Sequence, residues 1–276
     1  MKKIFYYRYY LFTLIFILFF ICSVYFMFFK KIKHNDDCIW KDVTFIGHGM
    51  YGIDEIDYTN SLEALELGYN EGIRVMEVDF LFTNEGKLIL NHYWENDVQE
   101  DYNQFLNKKI KNKYTAMDLK MLLGYMEKYK DLYIVIDTKE EGYNNGKDIL
   151  DVYKKIVSDT KEYNESLLDR FVIQLYNFDD LKEMNKIYQF KNKIFTIYKL
   201  PLDFNIYKIV YYCLFNDIET IVIPQGYLPC DLVKEEEIDF IRSKNINIYD
   251  NTVNDRELYN KLRKKGINGV YTDFLK

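Results

Sequence analysis

Residues 74–92 read RVMEVDFLFTNEGKLILNH, and this stretch carries the first indication of the fold class. Its first part, Arg74–Phe80, is rich in β-forming residues, and residues 84–86 (Asn-Glu-Gly) are typical of a turn. The apolar segment after this turn predicts a second strand that pairs back on the first. Because side chains alternate along a strand, Glu77 and Asp79 point to one face and the apolar residues around them to the other. The stretch therefore predicts a hairpin whose first strand carries two neighbouring carboxylates.

Apolar runs of the same kind recur from residue 43 onward, and amphipathic helical patterns separate most of them. Eight strands alternating with helices over roughly 230 residues are typical of a (β/α)8 barrel. The predicted fold class is α/β, a TIM barrel over residues 41–276 with a small β insertion after strand 2, preceded by one N-terminal transmembrane helix. An open doubly wound sheet is the alternative, but the chain has no GxGxxG or P-loop motif. The eight runs are Val43–Gly47, Arg74–Phe80, Leu132–Asp137, Phe171–Tyr176, Ile194–Tyr198, Thr220–Pro224, Ile246–Tyr249 and Gly269–Thr272, with Lys87–His92 as the insertion.

Two helix starts are predicted from capping patterns. Asn60 is followed by Glu63, and Thr115 by Asp118, which is the spacing of an N-cap residue and the third helical residue. We therefore expect helices to begin directly after Asn60 and directly after Thr115.

Polar side chains follow several predicted strands at their carboxyl ends, where a parallel barrel carries its chemistry. Burying Glu77 beside Asp79 would be costly without compensation, because like charges repel and lose their hydration. A divalent cation, Mg²⁺ or Ca²⁺, binds such oxygen ligands, and Asp137 at the end of the next barrel strand is the natural third ligand. The alternative is a pair of solvated carboxylates on an exposed strand face.

The chain has three histidines, of which His34 lies in a short polar joint near the N-terminus. The other two, His48 and His92, fall at predicted strand ends on either side of the carboxylate pair. A neutral imidazole and an imidazolium together make an acid/base couple, although a single histidine is more often structural. Lys139 has the strand parity of Asp137 and would neutralise an anionic oxygen; a surface lysine is the alternative.

The N-terminal segment is long and apolar enough to cross a membrane. Tyr9–Phe29 contains no charge, and as a helix it would extend about 31 Å, close to the ~30 Å hydrocarbon core. A cleaved signal peptide would be shorter and end in small residues, and lipoprotein processing at Cys22 is disfavoured because Ile21 precedes it. We predict an uncleaved anchor over residues 1–34. Basic residues flank both ends equally, so only the usual layout of a signal anchor indicates an extracytoplasmic domain.

The charge is divided unevenly along the chain. Residues 1–34 contain six basic residues and no acidic one, so the net charge of −6 leaves −12 on the rest. An acidic body without a basic stripe argues against nucleic-acid binding and suits a cation site. With 12 Gly, 3 Pro and 49% apolar residues, a disordered or collagen-like chain is excluded. The four cysteines show no metal-site spacing.

Seven short motifs follow one another along the chain: Ile46–Met50 (IGHGM), Tyr58–Ala64 (YTNSLEA), Glu77–Asp79 (EVD), Thr83–His92 (TNEGKLILNH), Ile136–Lys139 (IDTK), Asn251–Asn254 (NTVN) and Gly269–Asp273 (GVYTD). Together they resemble the glycerophosphodiester phosphodiesterase family, which shares a superfamily with the phosphatidylinositol-specific phospholipases C. The resemblance implies a (β/α)8 barrel that hydrolyses glycerophosphodiesters with a divalent metal.

The resemblance also implies roles for individual residues. Glu77, Asp79 and Asp137 would hold the metal, and His48 and His92 would be the acid/base pair. A substrate hydroxyl next to the phosphate would attack phosphorus, and water would then open, or fail to open, the cyclic phosphate.

Three positions depart from the pattern of this family. The family usually has Arg after the first histidine, where this chain has Gly49, and Asp after the second, where it has Tyr93. The motif before the first helix usually begins with Glu, which is Thr59 here. Gly cannot replace the bidentate phosphate clamp of Arg, so Lys139 or the backbone amides around Gly49 would have to supply part of it. Since the metal and histidine positions are intact, the sequence predicts an active enzyme.

Three functions remain open on the sequence. The first is a membrane-anchored, metal-dependent phosphodiesterase acting on glycerophosphodiesters, lysophospholipids or glycerol-phosphate polymers near the bilayer. The second is a phospholipase-like lyase that releases a cyclic phosphate, and the third is a membrane-tethered barrel without activity. Gln174 and Tyr176 share one parity at the end of a strand and are predicted to line the substrate pocket. Trp94 is predicted to form an aromatic wall beside Tyr93, although core packing explains such a pair equally well.

Overall fold

In this computed structural model, the described residues are 2–33, 39, 43–94, 98–138, 148–201, 203–224 and 233–275. Lys139 lies outside them, so its predicted contact with a phosphate stays a prediction. The strands in chain order are β1 (Phe45–Gly47), β2 (Val75–Phe82), β3 (Leu88–Leu90), β4 (Lys109–Ile110), β5 (Tyr114–Thr115), β6 (Tyr133–Thr138), β7 (Phe171–Leu175), β8 (Asn192–Thr196), β9 (Thr220–Ile223), β10 (Asn247–Asp250) and β11 (Gly269–Thr272). The helices are α1 (Lys2–Phe29), α2 (Leu62–Asn70), α3 (Tyr102–Asn107), α4 (Leu119–Lys128), α5 (Ile149–Asn164), α6 (Asp180–Ile187), α7 (Ile206–Phe215), α8 (Glu235–Ser243) and α9 (Arg256–Lys264).

Eight of these strands form a closed parallel barrel. β1, β2, β6, β7, β8, β9, β10 and β11 each pair with the next barrel strand along the chain, and β11 pairs with β1. The predicted (β/α)8 barrel is therefore confirmed, and closure of the sheet excludes the open doubly wound alternative.

The helix starts differ from those predicted. The N-cap of α2 is Ser61, whose side chain accepts a hydrogen bond from the Ala64 N–H, and the N-cap of α4 is Asp118. The prediction of Asn60 and Thr115 as caps is therefore wrong. Both side chains are drawn into tertiary hydrogen bonds, Asn60 with Asp79 and Thr115 with Glu63.

The predicted insertion is present and larger than expected. β3 pairs antiparallel with the end of β2, with Leu81 opposite Ile89. The chain then adds α3 and the β4–β5 hairpin, neither of which the sequence patterns predicted. These elements enclose a small apolar cluster of their own, made of Leu81, Ile89, Trp94, Phe105, Ile110, Tyr114 and Ala116.

The barrel interior contains one buried apolar layer, to which every barrel strand contributes one side chain. The members are Ile46, Val75, Val135, Val172, Ile194, Val222, Tyr249 and Tyr271. Because side chains alternate along a strand, the residue two positions further along each strand also points into the barrel interior. It lies one layer closer to the carboxyl ends of the strands. That next layer includes His48, Glu77, Asp137, Gln174, Thr196 and Asp273, so the interior changes from apolar to polar at this end.

Helix α1 joins the opposite end of the barrel. The side chains from Tyr7 to Phe20 are exposed, and Tyr7–Phe26 is long and apolar enough to cross a membrane. At the end of α1, Phe26 stacks on Phe215 with ring centroids 3.7 Å apart, and the Ile32 N–H donates to the Lys244 carbonyl at 2.9 Å. Phe215 and Lys244 lie where α7 and α8 return to the amino-terminal ends of barrel strands.

Candidate active site

Three carboxylates meet at the carboxyl ends of β2 and β6. Glu77 and Asp79 follow Val75 with the same parity, and Asp79 lies directly opposite Asp137 in the register of the two strands. One oxygen from each of the three lies within 4.8 Å of the others. Glu77, Asp79 and Asp137 are at most 6% exposed, so the alternative of a solvated strand face does not hold for the carboxylate pair.

Two of the carboxylates are oriented by residues of the loop after β1. The Gly49 N–H donates to Glu77 Oε2 at 2.8 Å. The Asn60 amide brackets Asp79: its Nδ2 donates to Asp79 Oδ2 at 2.7 Å, and its Oδ1 accepts from the Asp79 N–H at 3.1 Å. Hydrogen bonds from this loop therefore fix the orientation of the Glu77 and Asp79 side chains at the carboxyl end of the barrel.

The third carboxylate is oriented from β7. Tyr176 OH donates to Asp137 Oδ1 at 2.6 Å, and burial together with the Asp137 charge raises the Tyr176 pKa well above its usual value, so the phenol stays a donor. Gln174, also predicted to line the pocket, accepts from Thr196 Oγ1 at 3.2 Å inside the barrel. The side chains of Gln174 and Tyr176 lie on the same, inward side of the strand. The Tyr176 hydroxyl is directed at the Asp137 carboxylate, so its contact with a substrate stays a prediction.

This donor set fits a divalent cation. Gly49, Asn60 and Tyr176 are neutral donors, so the hydrogen bonds that they make leave the negative charges in place. Three buried carboxylates at such short separation repel one another and have lost most of their hydration. Hard cations such as Mg²⁺ and Ca²⁺ take oxygen ligands of this kind, whereas the set offers no sulfur for a soft metal.

His48 stands beside the carboxylates and is held by Asp273. Its Nδ1 lies 2.9 Å from Asp273 Oδ1, and the Asn254 amide in turn donates to Asp273 Oδ2 at 2.6 Å. Burial lowers the pKa of His48, but the hydrogen bond to Asp273 and the nearby charge of Glu77 outweigh it and raise the pKa to about 9. In the metal-free site His48 is therefore an imidazolium at neutral pH, with Nε2 as the nitrogen that can exchange a proton.

The ring of Tyr58 packs between the rings of the two candidate catalytic histidines. The ring centroid of Tyr58 lies 4.3 Å from that of His48 and 4.3 Å from that of His92. Tyr93 contacts His92 edge-on and is 44% exposed. Trp94 is only 4% exposed and packs against Phe105 in the insertion cluster, which favours core packing over the predicted aromatic wall.

The backbone at Gly49 leaves no room for the arginine that the sequence resemblance would place there. Gly49 has a φ of +52°, and a Cβ at this position would lie 2.8 Å from the Cα of Tyr58. Any residue larger than Gly would meet both a strained backbone and the close approach of the Tyr58 loop. The Gly49 N–H is also engaged with Glu77, so the prediction that this amide helps to bind phosphate competes with its role in orienting a carboxylate.

Several residues of this region were not assigned a role from the sequence. Asn60, Asn254 and Asp273 occur in the quoted motifs, but nothing in their spacing indicates which partner each one orients. Lys199 is exposed beyond β8, and its ammonium lies 4.3 Å from the centroid of the Tyr176 ring, which places a cation at the barrel mouth.

Comparison with protein families gives one match, which covers most of the chain. The model of the glycerophosphoryl diester phosphodiesterase family matches residues 47–276. No curated protein sequence matches the chain significantly.

Several solved structures share the fold at low sequence identity. A phosphodiesterase from Oleispira antarctica, solved with the product sn-glycerol-3-phosphate, has 15% identity and a TM-score of 0.61 over 84% of this chain and 93% of its own. A glycerophosphodiester phosphodiesterase from Thermotoga maritima has 18% identity and a TM-score of 0.60 over 87% and 96% of the two chains. Another from Parabacteroides distasonis has 16% identity and a TM-score of 0.61 over 83% and 92%. At this level of identity the likeness establishes the fold.

Proposed function

The chain belongs to the glycerophosphoryl diester phosphodiesterase family, and on this premise we propose that it is a membrane-anchored, divalent-metal-dependent phosphodiesterase that hydrolyses glycerophosphodiesters. The observation that carries the proposal is the meeting of three buried carboxylates with His48 at the carboxyl end of one barrel. A cation site next to a positioned proton donor is one arrangement that supports phosphodiester cleavage.

The two histidines divide the proton transfers. We assign His48 as the proton donor to the leaving alcohol, because Asp273 and the carboxylates favour its protonated form. His92 is then the acceptor that takes a proton from the attacking hydroxyl. Tyr58 contacts both rings and limits their rotation, so it is a positioning residue in this scheme.

The protein side of the metal site is made by Glu77, Asp79 and Asp137. A divalent cation bound there would supply Lewis-acid polarisation of a phosphoryl oxygen and offset charge in the transition state. Gly49, Asn60 and Tyr176 fix the directions of the carboxylates, so the ligand oxygens need little rearrangement when the cation binds.

The substrate reaches the site from the side facing away from the anchor. We propose residues 1–34 as the anchor, with the span at about 9–29, and residues 41–276 as the catalytic barrel. The contacts of Phe26 and Ile32 join α1 to the end of the barrel opposite the carboxylates. This arrangement favours water-exposed glycerophosphodiesters or glycerol-phosphate polymers over lipids embedded in the same bilayer.

The activity is tested with the full-length protein in detergent. We expect hydrolysis of glycerophosphocholine with Mg²⁺ or Ca²⁺, and a fall in kcat of about 10²–10⁴-fold in Glu77→Gln and in His48→Gln. Glu165→Gln is the matched control, because Glu165 is exposed near the amino-terminal end of β7. Equal rates in all the variants would contradict the assignment of these residues.

The lyase alternative is separated from hydrolysis by the product. Phosphorus NMR distinguishes a cyclic phosphate from sn-glycerol 3-phosphate. We expect the open monoester to accumulate, and a persistent cyclic signal would identify a lyase.

The orientation is tested on intact cells. We propose an extracytoplasmic barrel, for which added protease should cleave the domain while a cytoplasmic marker stays intact. Full protection of the domain would place it in the cytoplasm.

A further inference from the structure

A cavity beside the two histidines carries positive charge on an otherwise acidic body. Its volume is about 220 Å³, and its wall includes Tyr58, Asn91, Tyr93, Lys108, Lys109 and Lys111. Tyr58 contacts both candidate catalytic rings, and Asn91 and Tyr93 are the neighbours of His92 in the chain, so the cavity adjoins the proposed site of cleavage. Three lysines and no carboxylate occur among the described residues that line it.

The three lysines differ in how far their charges are compensated. Lys108 forms an ion pair with Glu100 at 2.6 Å, so its charge is neutralised locally. Lys109 donates to the neutral hydroxyl of Thr115 at 3.0 Å and makes no ion pair among the described contacts, although the charge of Glu63, which accepts from Thr115, partly offsets that of Lys109. Lys111 lies 3.4 Å from the hydroxyl of Tyr93, which is neutral as well.

The backbone holds Lys109 and Lys111 in place. They flank the buried Ile110 at the turn between β4 and β5, in which Lys111 and Asn112 both have a positive φ. Tight turns of this kind fix the twist of a hairpin, and Ile110 packs its side chain into the insertion cluster. The two ammonium groups are therefore presented by a supported element that ends at the cavity.

We propose that this cavity is a second anion-binding subsite, which selects phosphodiester substrates that carry another phosphate group. The proposal rests on the phosphodiesterase function proposed above. A substrate phosphodiester at the carboxylates and histidines would extend past Tyr58, and its additional phosphate would contact Lys109 and Lys111. Two linked phosphates occur in short glycerol-phosphate oligomers and in the headgroup of cardiolipin, and both present the same chemistry.

Binding is measured first, in a chain that does not turn over. Full-length His48→Ala protein is titrated with glycerophosphoglycerol and with glycerophosphoglycerol phosphate, which differ by one terminal phosphate. We expect the dissociation constant of the second compound to be lower by about tenfold or more and to rise with ionic strength, as screening predicts. Lys109→Gln/Lys111→Gln in the same background should remove this difference.

The matched control is Lys261→Gln/Lys264→Gln, which removes two exposed lysines from the last turn of α9 at the other end of the barrel. It should keep the tenfold preference. A second arm uses phosphatidylcholine vesicles with and without cardiolipin. A preference that depends on Lys109 and Lys111 in either arm supports the subsite and identifies its source. Equal binding of all the ligands, or a preference kept without the two lysines, overturns it.

Turnover separates this proposal from the proposed function. In the chain with His48 intact, the ratio of kcat/KM for the two soluble substrates should fall about tenfold on Lys109→Gln/Lys111→Gln and stay constant in the α9 control. If the binding preference is present but neither substrate is hydrolysed, the phosphodiesterase assignment fails while the subsite stands. If hydrolysis is normal and the ratio does not change, the subsite fails alone.

Discussion

At the scale of single residues, the charge state of His48 depends on Asp273 and on the carboxylates across the barrel mouth. Burial alone would lower the pKa of this imidazole, because an imidazolium loses hydration inside the protein. The hydrogen bond to Asp273 and the charge of Glu77 act in the other direction and prevail, which gives a pKa of about 9. Asp273 therefore both orients the His48 ring and stabilises its protonated form.

Replacing Asp273 with Asn should lower the pKa of His48. The neutral amide removes one of the charges that favour the imidazolium, so we expect the titration midpoint to fall by roughly one pH unit or more. NMR of the imidazole protons in EDTA-treated protein measures this midpoint. Asp169→Asn, which removes an exposed carboxylate at the far end of β7, should leave it unchanged. A midpoint that stays at its original pH in Asp273→Asn would contradict the proposed origin of the shift.

The same shift predicts how stability depends on pH. The pKa of His48 is higher in the folded chain than the value of 6.5 for an unperturbed histidine, so protonation stabilises the fold. The contribution is complete below pH 6.5 and is lost as the pH rises through about 9; a shift of this size corresponds to roughly 3 kcal/mol. Urea unfolding of metal-free protein between pH 6 and 9 should show a loss of this order relative to His48→Gln. Parallel curves for the two proteins would refute it.

Gly49 is a position where the backbone excludes a side chain. We expect Gly49→Ala to lower the free energy of unfolding by about 1 kcal/mol from its positive φ, and by more from the collision with Tyr58. Gly72→Ala separates the two effects, because Gly72 has a φ of +94° and open space around its missing Cβ. Chemical denaturation measures both variants, and an equal loss would show that the contact with Tyr58 costs nothing.

At the scale of elements, β2 and β6 determine the cation site. Their parallel register sets Asp79 opposite Asp137, and the two-residue period of β2 adds Glu77 on the same face. Two adjacent strands thus bring together three carboxylates that would repel one another without a cation. The parity of each strand is visible in the sequence, but the register between strands is a tertiary property.

Removing one carboxylate should have opposite effects with and without metal. We expect Asp137→Asn to raise the Tm of EDTA-treated protein, because a repulsive charge is lost. The same variant should lose the Tm gain on adding Mg²⁺ or Ca²⁺, which for a saturated site corresponds to about 2.7 kcal/mol at a hundredfold excess over Kd. The control is Asp131→Asn, just before β6 at the opposite end of the barrel, where Asp131 pairs with Arg74. It should lower the Tm but keep the metal response, and an unchanged response in Asp137→Asn would exclude Asp137 as a ligand.

At the scale of the whole molecule, the apolar N-terminal helix and the candidate site lie at opposite ends of the barrel. Phe26, Lys30 and Ile32 contact the ends of α7 and α8, where the chain returns to the amino-terminal edge of the sheet. The carboxylates and histidines lie at the carboxyl edge. Among the described residues, the helix makes no contact with the site residues, so we expect it to be dispensable for catalysis.

A chain that begins at Lys30 should stay folded and keep its activity. It retains Lys30 and Ile32, which contact Asp217 and Lys244 at the amino-terminal end of the barrel, and loses the exposed apolar helix. We expect kcat/KM for glycerophosphocholine within twofold of the full-length value and transfer of the protein from the membrane to the soluble fraction. Sedimentation and steady-state kinetics measure the two outcomes. Loss of activity in a truncated chain with a native circular dichroism spectrum would show that the helix supports the site.

Much of the fold was predictable because its signals are local. All eight barrel strands occur at the predicted runs, with ends that differ by at most a few residues. Strand and helix patterns repeat every two or about 3.6 residues, so a short stretch of sequence is enough to recognise them. The β4–β5 hairpin and α3 were missed because they are short and are stabilised by their own small cluster, not by a strong local pattern. The caps at Asn60 and Thr115 were misassigned because both side chains have distant partners, Asp79 and Glu63, that bind them instead.

The positions of the eight strands, the shared strand face of Glu77 and Asp79, and the apolar N-terminal helix could be read from the sequence, because each depends on residues close together in the chain. Which residues meet across the barrel depends on the tertiary structure. It joined His48 to Asp273 over more than 200 residues, inserted Tyr58 between the histidines, and explained Gly49 by the approach of the Tyr58 backbone. Such contacts arise when a sheet closes on itself, and closure brings into contact residues that no local spacing relates.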